Sequence, residues 1–346
     1  MSNAKWYENS GRCPEIVLSS KAIMTRNIKG YKFPPRMTQK DKEEIRDNVC
    51  DALSDRDFKV WELDKISARE RNELLDGQLM ETKKAVPDPA GKAILTNEDM
   101  STAVFINNQD HIRIRAHAAG FTDSVYKVCE DIACELEKKF DIAYSSKYGY
   151  LTCYVNDTGL ALKLLYTVAI PGIIRTDDGL EYLKQKIEHY GWKMYPFVED
   201  TADTRCDVYI IASNTSIGID EGTLLDTGKK IVEEVVTIEK ACRESLVKNN
   251  AAILENSYYR SYGILYYSKA MNPAEAMELI EWIRLYQGCE EKSEIKIDWK
   301  QINTITSFAL WQLFPMLHFE GFKVDPLYVA ARIGTVLRQD SIEGGN

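Results

Sequence analysis

The sequence predicts a mixed α/β chain that turns all-helical in its last third. Three observations carry that reading. Asn97 to Phe121 reads as a strand, a tight polar turn and a second strand. Runs of helical spacing and runs of strand character then alternate up to Ala212. From Glu221 onward nearly every stretch places apolar residues at helical intervals, so the change of character falls near residues 220–250.

Residues 1–40 open the chain with Pro14, Pro34 and Pro35, and Glu15 to Lys21 looks like a short strand running into a polar turn. Ile45, Val49 and Leu53 give Asp41 to Leu53 helical spacing. Phe58 to Leu63 is expected as a strand and Ser67 to Leu75 as a short helix. Lys83 to Gly91 holds two prolines and a glycine and reads as a loop. In the hairpin, Ala103 to Ile106 is apolar and β-prone. Asn107-Asn108-Gln109-Asp110 is turn chemistry, because Asn and Asp side chains bond their own backbone.

Val125, Val128, Ile132, Leu136 and Phe140 make Ser124 to Phe140 an amphipathic helix. Gly149 to Ile174 looks like another hairpin, broken at Asn156-Asp157-Thr158-Gly159. Gly179 to Tyr190 is expected as a helix, with Asp178 as its N-cap and Gly191 as its stop. Trp192 to Phe197 and Asp207 to Ala212 read as strands around a polar loop that carries Glu199, Asp200 and Asp203. Helical patterns then cover Glu221 to Asn250, Asn256 to Lys269, Pro273 to Gln287, Trp299 to Phe314 and Val324 to Arg338. Asn272 before Pro273 is a good cap and first-turn pair. Tyr258, Tyr262 and Tyr266 recur every fourth residue, a stripe suited to a core or a subunit interface.

A chain of 346 residues suggests about two domains, and its 45% apolar content is ample for packed cores. The net charge of −9 argues against a broad nucleic-acid footprint, although an acidic protein can keep a local cationic cleft. The polar start, MSNAKWYENSGRCPE, lacks the apolar core of a signal peptide. The longest apolar run, Leu160 to Ile174, is 15 residues with Lys163 inside it, too short and too charged to span a membrane. The eight cysteines show no CxxC and no zinc spacing with the four histidines. Reduced thiols in the cytosol, mostly as small core residues, are the expected state.

One stretch carries chemistry. His111, Arg113, Arg115 and His117 alternate with Ile112, Ile114 and Ala116, so a strand would gather the ionisable groups on one face. Such a row suits an anion at the edge of a cleft. It equally suits the solvated outer face of an antiparallel strand, the commoner use of the pattern.

Residues 15–27 (EIVLSSKAIMTRN) are similar to an I-V-x-S-S-R-x-R-x-x-R-N motif, and residues 107–113 (NNQDHIR) to N-E-E-D-H-x-R. Residues 149–171 (GYLTCYVNDTGLALKLLYTVAIP) are similar to G-Y-L-T-x-C-P-x-N-x-G-T-G-L-R-x-S-V. Residues 191–209 match a final strand-and-loop segment more loosely. In register, the four resemble the ATP:guanido phosphotransferases, most closely the bacterial protein arginine kinase branch. The resemblance implies a largely antiparallel sheet flanked by helices over residues 1–250. It also implies a helical dimerisation and recognition domain over 251–346, with ATP and Mg²⁺ as the reaction's companions.

That chemistry needs a carboxylate to orient a guanidinium and take its proton, and arginines to clamp the triphosphate. The resemblance places Lys21 and Ile23 at two clamp arginines, Lys163 at a third and Tyr195 at a fourth, while Arg113 is retained. Lysine keeps the charge but loses the bidentate fork. Gln109 stands at the catalytic glutamate, and an amide cannot accept the proton. Asp203 is the candidate for the loop carboxylate. The reactive cysteine aligns with Tyr154, beside Cys153 on the opposite side of an expected strand. Asp110 is expected to orient the turn, and Glu199 and Asp200 to be solvated. Asp325, Arg332 and Arg338 are expected to be helix-surface charges, with phosphoarginine recognition as the alternative.

Two functions follow. One is ATP-dependent phosphorylation of protein arginine side chains, weakened or lost by these substitutions. The other is a degenerate kinase that binds nucleotide, phosphoarginine or an active arginine kinase as a regulatory partner. Storage of phosphoryl groups on a free amino acid is a weaker third option, since the first motif begins at residue 15 and leaves no room for a large substrate domain before it. Neither nucleic acid nor membrane is an expected partner.

Overall fold

The centre of the molecule is β1 (Val17–Arg26), the longest strand of an eight-stranded sheet. The computed structural model describes residues 5–9, 11–79, 88–199, 206–214, 217–289, 295–318 and 323–338. In that sheet β2 (Lys59–Glu62), β3 (Ala93–Thr96), β4 (Thr102–Ile106) and β5 (Ile112–Ala119) lead to β1. Beyond β1 lie β8 (Leu162–Ala169), β10 (Val208–Ser213) and β9 (Trp192–Pro196). Every pairing is antiparallel.

β1 is longer than the Glu15 to Lys21 stretch expected of it. Ala22 and Met24 continue the alternation and bury, so the strand persists to Arg26 where a polar turn was expected. β3 is the strand that sequence reading passed over; its four residues are all buried and too few to show a period.

The apolar face of the sheet carries Ala22, Met24, Ile112, Ile114, Leu162, Leu164 and Tyr166. It packs on α1 (Gln39–Ala52), α3 (Ser124–Lys139), α5 (Gly179–His189) and the start of α6 (Glu221–Tyr267). Ile45, Val49, Ile132 and Leu136 are at most 1% exposed, which is what their helical spacing predicts. The remaining short helices are α2 (Ala68–Asp76) and α4 (Pro171–Ile174).

Two expectations change here. Gly149 to Ile174 is not a hairpin. β7 (Gly149–Tyr150) pairs with β6 (Tyr144–Ser145), whereas β8 pairs with β1 and β10. The stretch between β7 and β8 is a loop that folds inward, with Asp157 and Thr152 each 8% exposed. Gly159 and Ala161 bend it at φ +115° and +50°, a region that costs a residue with a Cβ free energy. Asp178 adopts φ +57° and its side chain makes no capping bond. The two helices expected between residues 221 and 269 are both present as the two arms of α6, which meet at a kink at Asn250 (φ −139°, ψ 28°), where the first was expected to end.

α7 (Pro273–Gln287), α8 (Trp299–His318) and α9 (Pro326–Arg338) share a second core that includes Tyr258, Ile280, Ile302, Leu313 and Ile333. Of the tyrosine stripe, Tyr258 is fully buried, whereas neighbouring Tyr267 is 73% exposed. This core is tied to the sheet by buried ions. Glu239 on α6 accepts bonds from the amides of Gly172 and Ile173 (2.8 Å each) and from Arg243 Nε (2.5 Å). Arg243 then reaches the carbonyl of Glu15 (3.1 Å), and Arg284 on α7 reaches that of Pro14 (3.1 Å). The start of β1 is thereby clamped to the helices.

No helix of the described residues is long and apolar enough to cross a membrane. All eight cysteines are free thiols.

Candidate active site

Strand register decides which side chains meet. Across β1 and β5, Lys21 faces His117, Ile23 faces Arg115 and Thr25 faces Arg113. Across β1 and β8, Ile23 faces Lys163 and Lys21 faces Leu165. Paired residues share a face, and the next pairings carry that face on to Lys193 and Tyr195 of β9. Lys21, Ile23, Arg113, Lys163 and Tyr195 therefore lie on one side of one sheet. Lys21 and Thr25 are four residues apart, about 13 Å along the strand.

At the Arg113 end, the polar turn holds Gln109 within reach, and Arg113 Nη1 donates to Gln109 Oε1 at 3.0 Å. The inward loop brings Asp157 to the same guanidinium, with Arg113 Nη2 3.9 Å from Asp157 Oδ2. Lys163 pairs with the other carboxylate oxygen of Asp157. The Arg113 and Asp157 side chains are 13% and 9% exposed, so solvent screens that pair only weakly, whereas Lys163 is 33% exposed. One buried donor, Arg113 Nε, has no hydrogen-bond partner among the described residues.

The geometry of the turn depends on Asn27 and Asp110. Asp110 Oδ1 accepts from Asn27 Nδ2 (2.8 Å) and from the amide of Cys153 (2.7 Å). Asn27 Oδ1 accepts from the amide of His111 at 2.9 Å. Asp110 is 1% exposed and orients the turn, as the sequence suggested. Asn27 closes the first of the quoted motifs, but nothing in the sequence showed that its side chain would brace the turn.

The solvated-face reading of β5 is overturned. His117 is 5% exposed under the ring of Trp6 (centroids 5.0 Å apart), and Arg115 stacks on Phe105 at 4.2 Å. His111 leaves the cationic row altogether. Its Nδ1 accepts from the amide of Ile28 (2.9 Å) and its Nε2 meets the carbonyl of Lys32 (2.8 Å), the two bonds of a neutral core imidazole.

The Lys21 end is nearly closed. Trp6, Lys21, His117, Phe197 and Trp311 line a cavity of about 50 Å³ there. Trp311 belongs to α8, so a helix distant in sequence covers this part of the sheet.

Cys153 and Tyr154 lie on a bend, not on the strand expected for them. Burial and the nearby Asp110 charge push the Cys153 thiol up, away from the reactive thiolate. Tyr154 and Tyr195 are 51% and 42% exposed. Glu199 is exposed, and Asp200 and Asp203 lie outside the described residues. Of the C-terminal charges, Arg332 pairs with Glu8 (2.7 Å) and Arg338 donates to the carbonyl of Tyr266 (2.9 Å). Asp325 Oδ1 accepts from the amide of Leu327 at 2.9 Å, a turn bond at the start of α9.

Burial first, then Lys21 and Arg115, hold His117 well below the ordinary histidine value. His111 is lowered mainly by burial too. Below about pH 6.5 the unfolded chain binds protons on these rings that the folded chain refuses, so stability falls with pH. Each group contributes up to about 1.4 kcal/mol per pH unit until its folded value is reached. Unfolding midpoints at pH 7.5 and 5.5 are expected to differ less in His117→Gln than in the wild type. An unchanged difference would contradict the assignment.

The sequence profile of the ATP:guanido phosphotransferase C-terminal catalytic domain matches residues 41–242. The protein-arginine kinase of Clostridium tetani (strain Massachusetts / E88) is 23% identical over 307 residues, covering 87% of this chain and 88% of the relative. That of Bacillus cereus (strain AH187) is 24% identical over 290 residues, covering 81% and 80%. Among solved structures, the duplicated taurocyamine kinase of Schistosoma mansoni with bound transition-state-analogue components superposes with a TM-score of 0.57 at 21% identity. The match covers 66% of this chain and a third (33%) of that duplicated chain. A lombricine kinase superposes with a TM-score of 0.56 at 18% identity, covering 69% of this chain and 70% of that one.

Proposed function

Because the chain belongs to the ATP:guanido phosphotransferase family, we propose that it is a protein arginine kinase-like member whose phosphoryl transfer is weak or lost, retained as a binding partner. The carrying observation is Gln109. Its amide sits beside Arg113 at the turn, where transfer needs a carboxylate to take a guanidinium proton.

The residues present fit a nucleotide triphosphate poorly. Lys21 looks into a cavity of about 50 Å³, room for only a water or two. Ile23 supplies no charge where the resemblance has an arginine, and Tyr195 supplies none at the far edge. Arg113 and Lys163 are already paired with Asp157.

The partners this reading supports are a related protein arginine kinase, or arginine side chains and their phosphorylated form, in the cytoplasm. In that reading residues 1–250 are the catalytic-like domain, and residues 251–346 serve dimerisation and recognition.

The test is mass spectrometry of an arginine-rich protein after incubation with the full chain, ATP and Mg²⁺, beside an active protein arginine kinase. No phosphoarginine above background is expected from this chain. Robust phosphoarginine, at a rate comparable to the active enzyme, would overturn the proposal.

A further inference from the structure

Within the cleft, the Asp157 carboxylate stands between two cations, Arg113 (3.9 Å) and Lys163. A carboxylate and a phosphate are both anions that such a pair of cations attracts. We propose that Asp157 is a resident anion that sets the ligand class of this cleft, taking the place of a phosphate and turning polyphosphates away. This deepens the functional reading above and rests on it.

Three observations and one general argument support the assignment. First, the side chain is 9% exposed and reaches the cations because the loop after β7 folds inward, so its position is fixed by the backbone. Second, Asp157 stands where the third motif of the resemblance has asparagine, a side chain of the same shape without the charge. The substitution adds one negative charge to the local balance with little change of side-chain shape. Third, Gln109 makes the reverse exchange, amide for carboxylate, on the same arginine. Arg113 thus keeps one carboxylate neighbour, but on the side of Lys163 and away from the turn. Fourth, a carboxylate supplied by the chain is present at all ligand concentrations, whereas a phosphate must be brought from solution and lose its freedom.

The test is calorimetric titration of the full chain with inorganic pyrophosphate at low salt. The wild type and Asp157→Glu are expected to bind weakly and alike. Asp157→Asn, and independently Asp157→Ala, should bind about tenfold more tightly or better, the size of one charge-assisted contact. Binding by both neutral variants no tighter than by the wild type would overturn the proposal. Loss of the folded state in both would also overturn it, by making Asp157 a brace for its loop. Pyrophosphate cannot report transfer to arginine. Phosphorylation by the wild type would thus sink the functional reading, whereas unchanged pyrophosphate affinity in the variants would sink only this inference.

Discussion

Replacing Glu239 by alanine is expected to lower the stability of the whole chain by about 3–5 kcal/mol, the usual loss when one partner of a buried ion pair is removed. Glu239 is fully buried, and its two oxygens satisfy two backbone amides at the start of α4 as well as Arg243. Burial pushes its carboxyl up while Arg243 pulls it down, so the charge is tolerable only with its partner present. Alanine would strand an arginine that is 1% exposed and two amide donors. Because Arg243 also holds the carbonyl of Glu15, the loss is expected to loosen β1 and hence the cleft. Denaturant unfolding followed by tryptophan fluorescence measures it. The solvent-exposed pair Lys29–Asp141 is the control, since its removal should cost under about 1 kcal/mol.

The second large effect is on activity. Restoring four positions together, with Gln109→Glu, Ile23→Arg, Tyr195→Arg and Asp157→Asn, is expected to raise phosphoryl transfer to arginine by about a hundredfold or more. One preorganised charge stabiliser accounts for about 2.7–4 kcal/mol of a barrier, which is a factor of about 10² to 10³. Gln109→Glu alone is expected to gain less than about tenfold, because Asp157 would still hold Arg113 and Lys163. Groups that act as a unit do not add. Initial rates of the single and fourfold variants, with phosphoarginine as the readout, distinguish these cases.

Much of the sheet was legible in the sequence. β5 and β9 alternate, β4 and β10 are short apolar β-prone runs, and the helices packed on the sheet announce themselves by Ile and Leu at helical spacing. The hairpin turn was legible because Asn107 to Asp110 is turn chemistry, and Asn107 does adopt a positive φ of 56°. The second supposed hairpin was not. A polar loop that turns inward looks, residue by residue, like one that faces water. Asp157 was therefore read as turn composition, when its neighbours across the fold make it a counter-ion. The closing of Lys21 by Trp311 was hidden for a different reason, since only tertiary packing brings α8 onto the sheet face. His111 and His117 looked equivalent on an alternating strand, yet one is held by two backbone groups and the other is sealed under Trp6. Of the five residues singled out for the site, Lys21, Arg113 and Lys163 share one face with Gln109 at its end, and Asp203 lies outside the described residues.

We propose that the cleft has exchanged its transfer chemistry for an internally neutralised face. The most direct test is the rate of γ-phosphoryl transfer from ATP to an arginine-rich protein by the wild type and the fourfold restored variant, under identical conditions. Background transfer is expected from the wild type, and a rate about a hundredfold higher or more from the restored chain. A wild type that transfers as fast as the restored chain would contradict it.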